Sequence, residues 1–510
     1  MRGIRCDAGR GRSHSTLRFL LLAVASSACT PRPPPPEDVF AESRFIDDAN
    51  GDDSADGTTP GSAWRTLTKV NGFIPRTSTR ILFKRGGRWR GALTPHGGSA
   101  TKGWVAYGAY GDPEAPKPLF LGSDDLSDGW LDPNLDGAWE RPWEEDVSLP
   151  SGDVVQGPGN LYFLDADGGV VRWGFRKQTR AQLTREGDFF YSPVERRLEL
   201  VATTQPSGPI EAARNRTWAE FSGQSFLIFE DLELRFGGGY AFRGHEATHL
   251  RFRRLDVSWT GGGTKTGQYV RLGNGVEFAG NVEDAVVEDS RFFQLYDTGV
   301  DCQNTGDAAF VQKDIVFRRN VISRTGLGSF EFWGRGGSGS RFEDVHFENN
   351  TCLYAGGGWG YEQHDHVGQG QLGADVVVFE NSAAVSGLVI RDNVFFAPRI
   401  GFFAEYQQRQ TATRALVDGA TIDFNLYAHP EKFLAVLYVG DDPLVLPLSQ
   451  KFTSLEGFRT TGKEAHGLEG DPGFVSSGNG DPFHDDLRPG AGSVAWTAGS
   501  DGGVIGALGR

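Results

Sequence analysis

Seven short segments between residues 229 and 427 share one pattern of apolar and polar positions. Each begins with an apolar residue, continues through two residues that are both polar in six of the seven segments, reaches a fixed fourth position, and then returns to apolar character. The fourth positions are Leu232, Leu255, Ser290, Asn320, Asn350, Asn393 and Asn425. A repeat of roughly 20–50 residues built from strand-like units predicts a solenoid. The Gly and Asn turns between these short strands argue against a helical repeat.

Asparagine occupies the fourth position in the last four segments, which predicts a ladder of side chains stacked along one turn of the solenoid. The segments resemble the right-handed parallel β-helix (pectate-lyase-like) family of carbohydrate-active and surface proteins. The resemblance implies an all-β solenoid and a polysaccharide as partner. Its motifs are architectural, so it specifies no reaction.

The chain ends and one interruption complete the predicted organisation. An Asp/Gly loop and a short amphipathic segment within 47–73 resemble the capping helix of such solenoids. A Trp-rich stretch interrupts the repeat and predicts a small inserted β module, which either walls one end of a cleft or only decorates the coil. The predicted segments are an N-terminal cap and first coils (41–123), the module (124–220), central coils (221–430) and C-terminal coils with a closing segment (431–510).

The N-terminus has the features of a targeting segment. Residues 1–28 combine a basic start, a short apolar run and small residues, which is typical of a signal peptide. Cys29 follows directly and begins a Pro-rich stretch, 29–40, that predicts a stiff tether. This resembles a bacterial lipoprotein signal with a lipidated Cys29, although simple secretion fits equally well. We expect an exported protein, either secreted or an outer-membrane lipoprotein of the cell envelope, that contacts a membrane only through this anchor.

The composition agrees with a β-rich chain, and the net charge limits the classes of molecule that the protein can bind. There are 71 Gly, 36 Phe and one Met in 510 residues, which favours many turns and an aromatic β core. Without residues 1–28 the formal net charge is −19. This excludes nucleic acid as a partner and disfavours a polyanionic substrate. Cys302 and Cys352 lie in apolar runs and are predicted to be buried free thiols. We expect a monomer.

Counting eleven or twelve residues forward from four successive repeat positions reaches a carboxylate each time. These carboxylates are Asp301, Glu331, Glu362 and Glu405. Their neighbours are mostly apolar, and side chains alternate along a strand. The spacing therefore predicts four outward carboxylates on successive windings, about 4.8 Å apart.

Residues two and four positions further on would share that outward face. Trp333 and His364 would occupy one column, and Arg335, His366 and Arg409 the next. An indole can carry the apolar face of a sugar ring, and guanidinium groups can bind hydroxyls or a sugar carboxylate. These residues, together with Glu405, are therefore predicted to bind substrate. Asp297 and Asp307 lie in turns at the predicted edge.

Stacked carboxylates repel one another, so at least one should have a raised pKa. A protonated carboxyl beside an ionised one is the arrangement that hydrolyses glycosides, and it requires no cofactor. Glu331 and Glu362 are predicted as the acid and the base or nucleophile, in either order, with Asp301 flanking them. The sequence therefore favours a glycoside hydrolase.

Other interpretations of the same residues stay open. A polysaccharide lyase would need a base such as His364, Tyr361 or Lys313, and Arg335 or Ca²⁺ to neutralise a uronate. Asp301, Glu331 and Glu362 could supply oxygen ligands to Ca²⁺. Glu362, His364 and His366 could hold a transition metal. In a surface adhesin or scaffold, the carboxylates would only form a solvated or Arg-neutralised face.

Overall fold

The computed structural model describes residues 37–134, 136–144, 156–264, 271–363, 373–407, 415–428, 435–439 and 448–507. Within these ranges the chain winds through three long sheets in turn, and successive windings pair in parallel. This confirms the predicted right-handed parallel β-helix. Its sheets are named here the first, second and third in the order in which the chain visits them.

The first and second sheets form two sides of the coil. The strands of the first sheet are Glu42–Ile46, Thr79–Lys84, Val105–Tyr110, Leu227–Glu230, Ala247–Arg253, Val282–Glu288, Val311–Arg318, Arg341–Glu348, Ala384–Ser386, Leu388–Arg391 and Ala420–Asp423. Those of the second sheet are Arg88–Arg90, Leu119–Leu121, Glu233–Arg235, Asp256–Thr260, Arg291–Leu295, Val321–Ser323, Thr351–Leu353, Val394–Phe396, Leu426–Ala428 and Leu468–Glu469.

The third sheet forms the remaining side and carries the candidate site. Its strands are Ala219–Glu220, Phe242–Gly244, Val276–Ala279, Thr298–Asn304, Gly328–Gly334, Ala374–Asn381, Gly401–Gln407, Ala435–Val439 and Leu448–Phe452. The last pair is antiparallel, and the other neighbours are parallel.

Alternate residues of all three sheets point inward and form one continuous core. Aromatic rings stack between windings inside it. For example, Phe330 and Phe347 lie nearly parallel with ring centroids 4.9 Å apart. Cys302 and Cys352 are buried and unbridged, as predicted.

The predicted asparagine ladder is present at the turn between the first and second sheets. The Asn350 side chain donates to the carbonyl of Phe317 at 3.0 Å, and its Oδ1 accepts from the Asn320 backbone at 3.0 Å. The residue before each ladder position has a left-handed backbone, as at Asn349 with φ 54°. This tight turn leaves backbone groups unpaired, and the stacked amides satisfy them.

The ladder ends at Glu464, which lies in the closing segment and is fully buried. Its Oε1 accepts from Asn425 Nδ2 at 2.7 Å and from the Tyr427 hydroxyl at 2.5 Å. Burial raises the pKa of Glu464 to about 7, although these hydrogen bonds lower it.

Two four-stranded sheets interrupt the coil between residues 123 and 213. One contains Ala138–Pro142, Phe175–Arg176, Asp188–Ser192 and Arg197–Val201, and the other Ser123–Asp125, Leu161–Leu164, Val170–Trp173 and Ile210–Ala213. Tyr162 joins this module to the coil, because its ring contacts Trp259 of the second sheet, Phe236 directly after another strand of that sheet, and Trp359 in the segment Gly358–Gln363.

Helices are few and short in the described ranges. Helix α1, Leu67–Asn71, is the predicted cap and buries Leu67 and Val70 against the first winding. Helix α2 is Gly358–Gln363 and α3 is Leu455–Arg459. Single helical turns occur at Pro60–Ser62, Arg180–Gln182, Ala415–Gly419 and Val494–Trp496. No helix in the described ranges has the length and hydropathy needed to cross a membrane.

Candidate active site

A line of charged residues crosses the outer face of the third sheet. Cα register places Arg243 beside Glu277, Glu277 beside Asp301 and Asp301 beside Glu331. Their strand neighbours Val300 and Phe330 are core residues, so the charged side chains lie on the opposite face. The structure therefore brings together Asp301 and Glu331 as the repeat spacing predicts.

These carboxylates are almost completely shielded from solvent. The exposed fraction is 2% for Glu277, 0% for Asp301 and 4% for Glu331. Arg243 Nε donates to Glu277 Oε1 at 2.7 Å. The Asn274 amide donates to Glu277 Oε2 at 3.2 Å and also to Asp301. Glu277 and Asp301 are thus cross-linked by one amide.

A fourth carboxylate and a second guanidinium join the group. Asp297, in the turn before Thr298–Asn304, is 7% exposed, and Arg271 is 3% exposed. Arg271 Nη1 donates to the Tyr296 carbonyl at 3.1 Å. Among the described residues, Arg271 Nε and Nη2, Asp297 Oδ1 and Asp301 Oδ1 are buried without hydrogen-bond partners. Such atoms are costly to bury unless a ligand or water satisfies them.

Burial and mutual repulsion favour protons on this group. Burial, followed by repulsion from Glu277 and Glu331, raises the pKa of Asp301 well above its usual value. Burial, followed by repulsion from Asp297 and Glu277, likewise raises the pKa of Glu331. Burial also raises the pKa of Asp297, to about 6. The positive charge of Arg271 acts in the opposite direction and limits the rise.

The group opens into a cleft of about 560 Å³, in which Glu277, Asp297 and Glu331 form part of the wall. Tyr240, Leu327, Trp333 and Arg335 are also among the lining residues. Asp301 lies behind this wall, with no exposed surface. Trp333 and Arg335, which the sequence analysis predicts to bind substrate, thus border the cleft, and Arg335 is paired with Asp307 at 2.9 Å.

An aromatic track extends from the cleft along the same outer face. Trp333 contacts Phe379 on the next strand with ring centroids 5.2 Å apart. Phe379 stacks in turn on Tyr406 at 5.7 Å. The three rings are partly buried and pack beside an apolar patch of Val377 and Ala404.

The prediction that Glu362 lies beside Glu331 on the outer face of the third sheet is wrong. Glu362 is an exposed residue of α2, and the winding neighbour of Glu331 is Val377. The turn between the second and third sheets is longer in this winding, so a count of twelve residues ends in the inserted helix. Burial raises the pKa of Glu362, while Arg324 and Arg399 lower it.

Glu405 also departs from its expected orientation. Its register partner is Val378, a core residue, while Ala404 pairs with Val377 on the outer face. A count of eleven residues from Asn393 reaches Ala404, and the count of twelve shifts the assignment by one residue. Because a one-residue shift exchanges the two faces of a strand, Glu405 is 1% exposed and on the inward parity.

The other predicted site residues lie outside the described residues or away from the outer face of the third sheet. His364, His366, Arg409 and Cys29 lie outside the described residues. The Ca²⁺ ligand set of Asp301, Glu331 and Glu362 is not assembled, because Glu362 is on α2. No cluster of three or more His, Cys, Asp or Glu side chains suited to a metal occurs in the described ranges. Tyr361 is on α2, and Lys313 is on the first sheet.

Sequence reasoning missed Arg243, Glu277 and Arg271. Arg243 is eleven residues past Leu232, so the same count finds it. Glu277 is hidden because its winding contains a longer turn. The local string Val276-Glu277-Phe278 nevertheless matches Val300-Asp301-Cys302 and Phe330-Glu331-Phe332. Arg271 lies in the short strand Arg271–Leu272 of that connection, which pairs with Gly263–Thr264, and it has no repeat signal.

No protein-family model matches the sequence, and no curated protein sequence matches it. Among solved structures, one described as a glycoside hydrolase is similar over 78% of this chain and 91% of its own, with 10% identity and a TM-score of 0.47. The GH136 lacto-N-biosidase from Eubacterium ramulus is similar over 79% of this chain and 56% of its own, with 12% identity and a TM-score of 0.40. Pectate lyase Pel9A is similar over 92% and 97%, with 12% identity and a TM-score of 0.38. At these identities the likeness concerns the fold alone.

Proposed function

We propose that this protein is a glycoside hydrolase that acts on a polysaccharide and uses the carboxylates of the third sheet. The observation that carries the proposal is the buried carboxylate group beside the cleft, in which Glu331 and Asp297 line the wall and polar atoms lack partners. Among the described residues, the four carboxylates lie close to the guanidinium groups of Arg243 and Arg271. Protons are therefore retained near neutral pH, as acid-catalysed glycoside cleavage requires.

Glu331 is the proton donor in this proposal. It lines the cleft, and its raised pKa keeps the carboxyl protonated. As the bond between the anomeric carbon and the glycosidic oxygen breaks, Glu331 gives its proton to that oxygen. Asp297, with a pKa of about 6, is mainly ionised at neutral pH. It takes a proton from the water whose hydroxide adds to the anomeric carbon, so the two protons balance.

Asp301 has a positioning role, because its carboxyl lies behind the cleft wall. It holds Asn274, which also orients Glu277, and Glu277 fixes Arg243. Proton loss from Glu331 is disfavoured by burial and by the charges of Asp297 and Glu277.

A panel of soluble polysaccharides tests the proposal when reducing ends and ultraviolet absorbance are recorded together. We expect new reducing ends without the absorbance of unsaturated uronates. Glu331→Gln should abolish them, while the matched control Glu283→Gln, an exposed residue of the first sheet, should retain activity. New absorbance would instead assign a lyase. Equal activity of wild type and Glu331→Gln would reject the catalytic role of this cleft.

We also propose that the chain is exported through residues 1–28, with Cys29 as the lipidated residue. The basic start, the apolar run and the Pro-rich stretch after Cys29 support this proposal. Mass spectrometry of the N-terminal peptide, purified from a bacterial host, tests it. A diacylglyceryl mass on Cys29 would support lipidation, and an unmodified N-terminus beginning at residue 29 would show simple secretion.

A further inference from the structure

We propose that the cleft takes a neutral glycan, with sugar rings resting on the aromatic track of Trp333, Phe379 and Tyr406, and that it excludes polyuronates. The inference rests on the proposed function for the location of the reacting bond. It adds the chemical class of the substrate and the direction in which the glycan lies.

The charged residues around the cleft disfavour the binding of a uronate. A uronate carboxylate needs a guanidinium or ammonium group that is not already committed. Arg243 is paired with Glu277 at 2.7 Å, and Arg335 with Asp307 at 2.9 Å. Arg271 faces Asp297 and Glu331, where its charge lowers the pKa of both carboxyls. Two of the arginines that line the cleft in the described ranges, Arg243 and Arg335, are therefore ion-paired. The third, Arg271, is 3% exposed, and its Nε and Nη2 have no partner but are shielded from solvent.

The aromatic track gives neutral sugar rings a surface on which to pack. Trp333 lies two residues beyond Glu331 on the same strand face, about 7 Å away along the strand. The rings of Phe379 and Tyr406 follow on the next two strands, so the track runs about 10 Å along the solenoid axis. Neutral sugar rings present C–H faces that pack on such rings.

The indole nitrogen adds a polar handle to this track. Trp333 Nε1 is buried and has no hydrogen-bond partner among the described residues. A sugar hydroxyl can accept from it while the ring packs on the indole face. Trp333 thus connects the carboxylate group to the apolar part of the face, which places successive sugars along the axis rather than across the sheet.

Calorimetric titration at constant ionic strength tests the inference with soluble β-glucan, xylan and galactan against polygalacturonate and alginate. We expect at least one neutral glycan to bind and neither polyuronate to do so. Trp333→Ala should weaken binding by about tenfold or more, and Trp333→Phe should restore most of it. Trp496 is a partly exposed residue of the closing segment. The matched control Trp496→Ala should therefore bind the glycan as wild type does. Circular dichroism confirms folding of each variant.

The outcomes separate this inference from the hydrolysis proposal. Trp333-dependent binding of a neutral glycan that is never cleaved keeps the inference and rejects hydrolysis. Glu331-dependent cleavage that Trp333→Ala leaves unchanged keeps hydrolysis and overturns the aromatic track. Tighter binding of a polyuronate, or binding of no neutral glycan, overturns the inference.

Discussion

Glu464 gives the protein a stability that should decrease as the pH rises. This carboxyl is fully buried and ends the asparagine ladder by accepting from Asn425 and Tyr427. Its pKa is about 7 in the folded protein against 4.5 for an ordinary Glu. Between these two values the folded state binds more protons than the unfolded state. The free energy of unfolding is therefore greatest below about pH 4.5 and falls as pH rises through about 7.

The shift from 4.5 to about 7 corresponds to about 3 kcal/mol. A glutamine at this position mimics the protonated carboxyl, because its amide oxygen can still accept from Asn425 and Tyr427. Glu464→Gln should therefore be within about 1 kcal/mol of wild type at pH 5. At pH 8 it should be more stable by up to about 3 kcal/mol.

Urea unfolding of wild type and Glu464→Gln at pH 5 and pH 8 measures this difference. Other buried carboxyls also titrate, but they are common to both proteins and cancel in the comparison. Glu456→Gln, an exposed residue of α3, serves as the control and should show the same pH dependence as wild type. A stability difference between wild type and Glu464→Gln that is equal at both pH values would refute the reasoning.

Three further predictions concern the ladder, the cleft and the surface. Asn350→Ala should lower the free energy of unfolding by about 3 kcal/mol or more, because it leaves buried groups such as the Asn320 backbone N–H unpaired; loss of less than 1 kcal/mol in urea titrations would contradict a ladder that stabilises the coil. Asp297→Asn should lower kcat/KM at neutral pH by a factor of about 100 or more, because it removes the proposed base, and the residual activity should not fall on acidification near pH 6. Wild-type activity at neutral pH, or an unchanged acid limb in the pH–rate profile, would contradict this role of Asp297. Arg319→Ala should cost about 1 kcal/mol or less in thermal or urea unfolding, although Arg319 bonds Asp289 at 2.8 Å, because its side chain is 39% exposed. A much larger loss would show that these surface pairs hold the coil together.

The fold could be predicted because a parallel solenoid repeats its local solution in every winding. Asn320, Asn350, Asn393 and Asn425 each fill the same turn, so the sequence displays the period directly. The alternation of apolar residues around Asp301 and Glu331 then determines which side chains point outward. Each of these two acids lies eleven residues after its own repeat position, Ser290 or Asn320, and their pairing was therefore predictable.

The rest of the site depends on turns whose length the repeat does not control. The long turn that contains α2 moves Glu362 off the sheet, and another long turn supplies Arg271. The burial of the outward carboxylates was a second feature that could not be predicted by counting residues from the repeat positions. The outward carboxylates were expected on an open face, but the structure encloses them among Tyr240, Leu327 and Trp333. That enclosure, more than spacing, raises the pKa of Glu331.

The role of Glu331 as proton donor is tested most directly by the dependence of the reaction on the leaving group. The two substrates are the glycan that the wild type cleaves and an aryl glycoside of the same sugar, whose phenolate departs without protonation. We expect Glu331→Gln to reduce kcat/KM for the glycan by a factor of about 100 or more and to reduce it far less for the aryl glycoside. Equal losses on both substrates, or no loss on the glycan, would contradict the account.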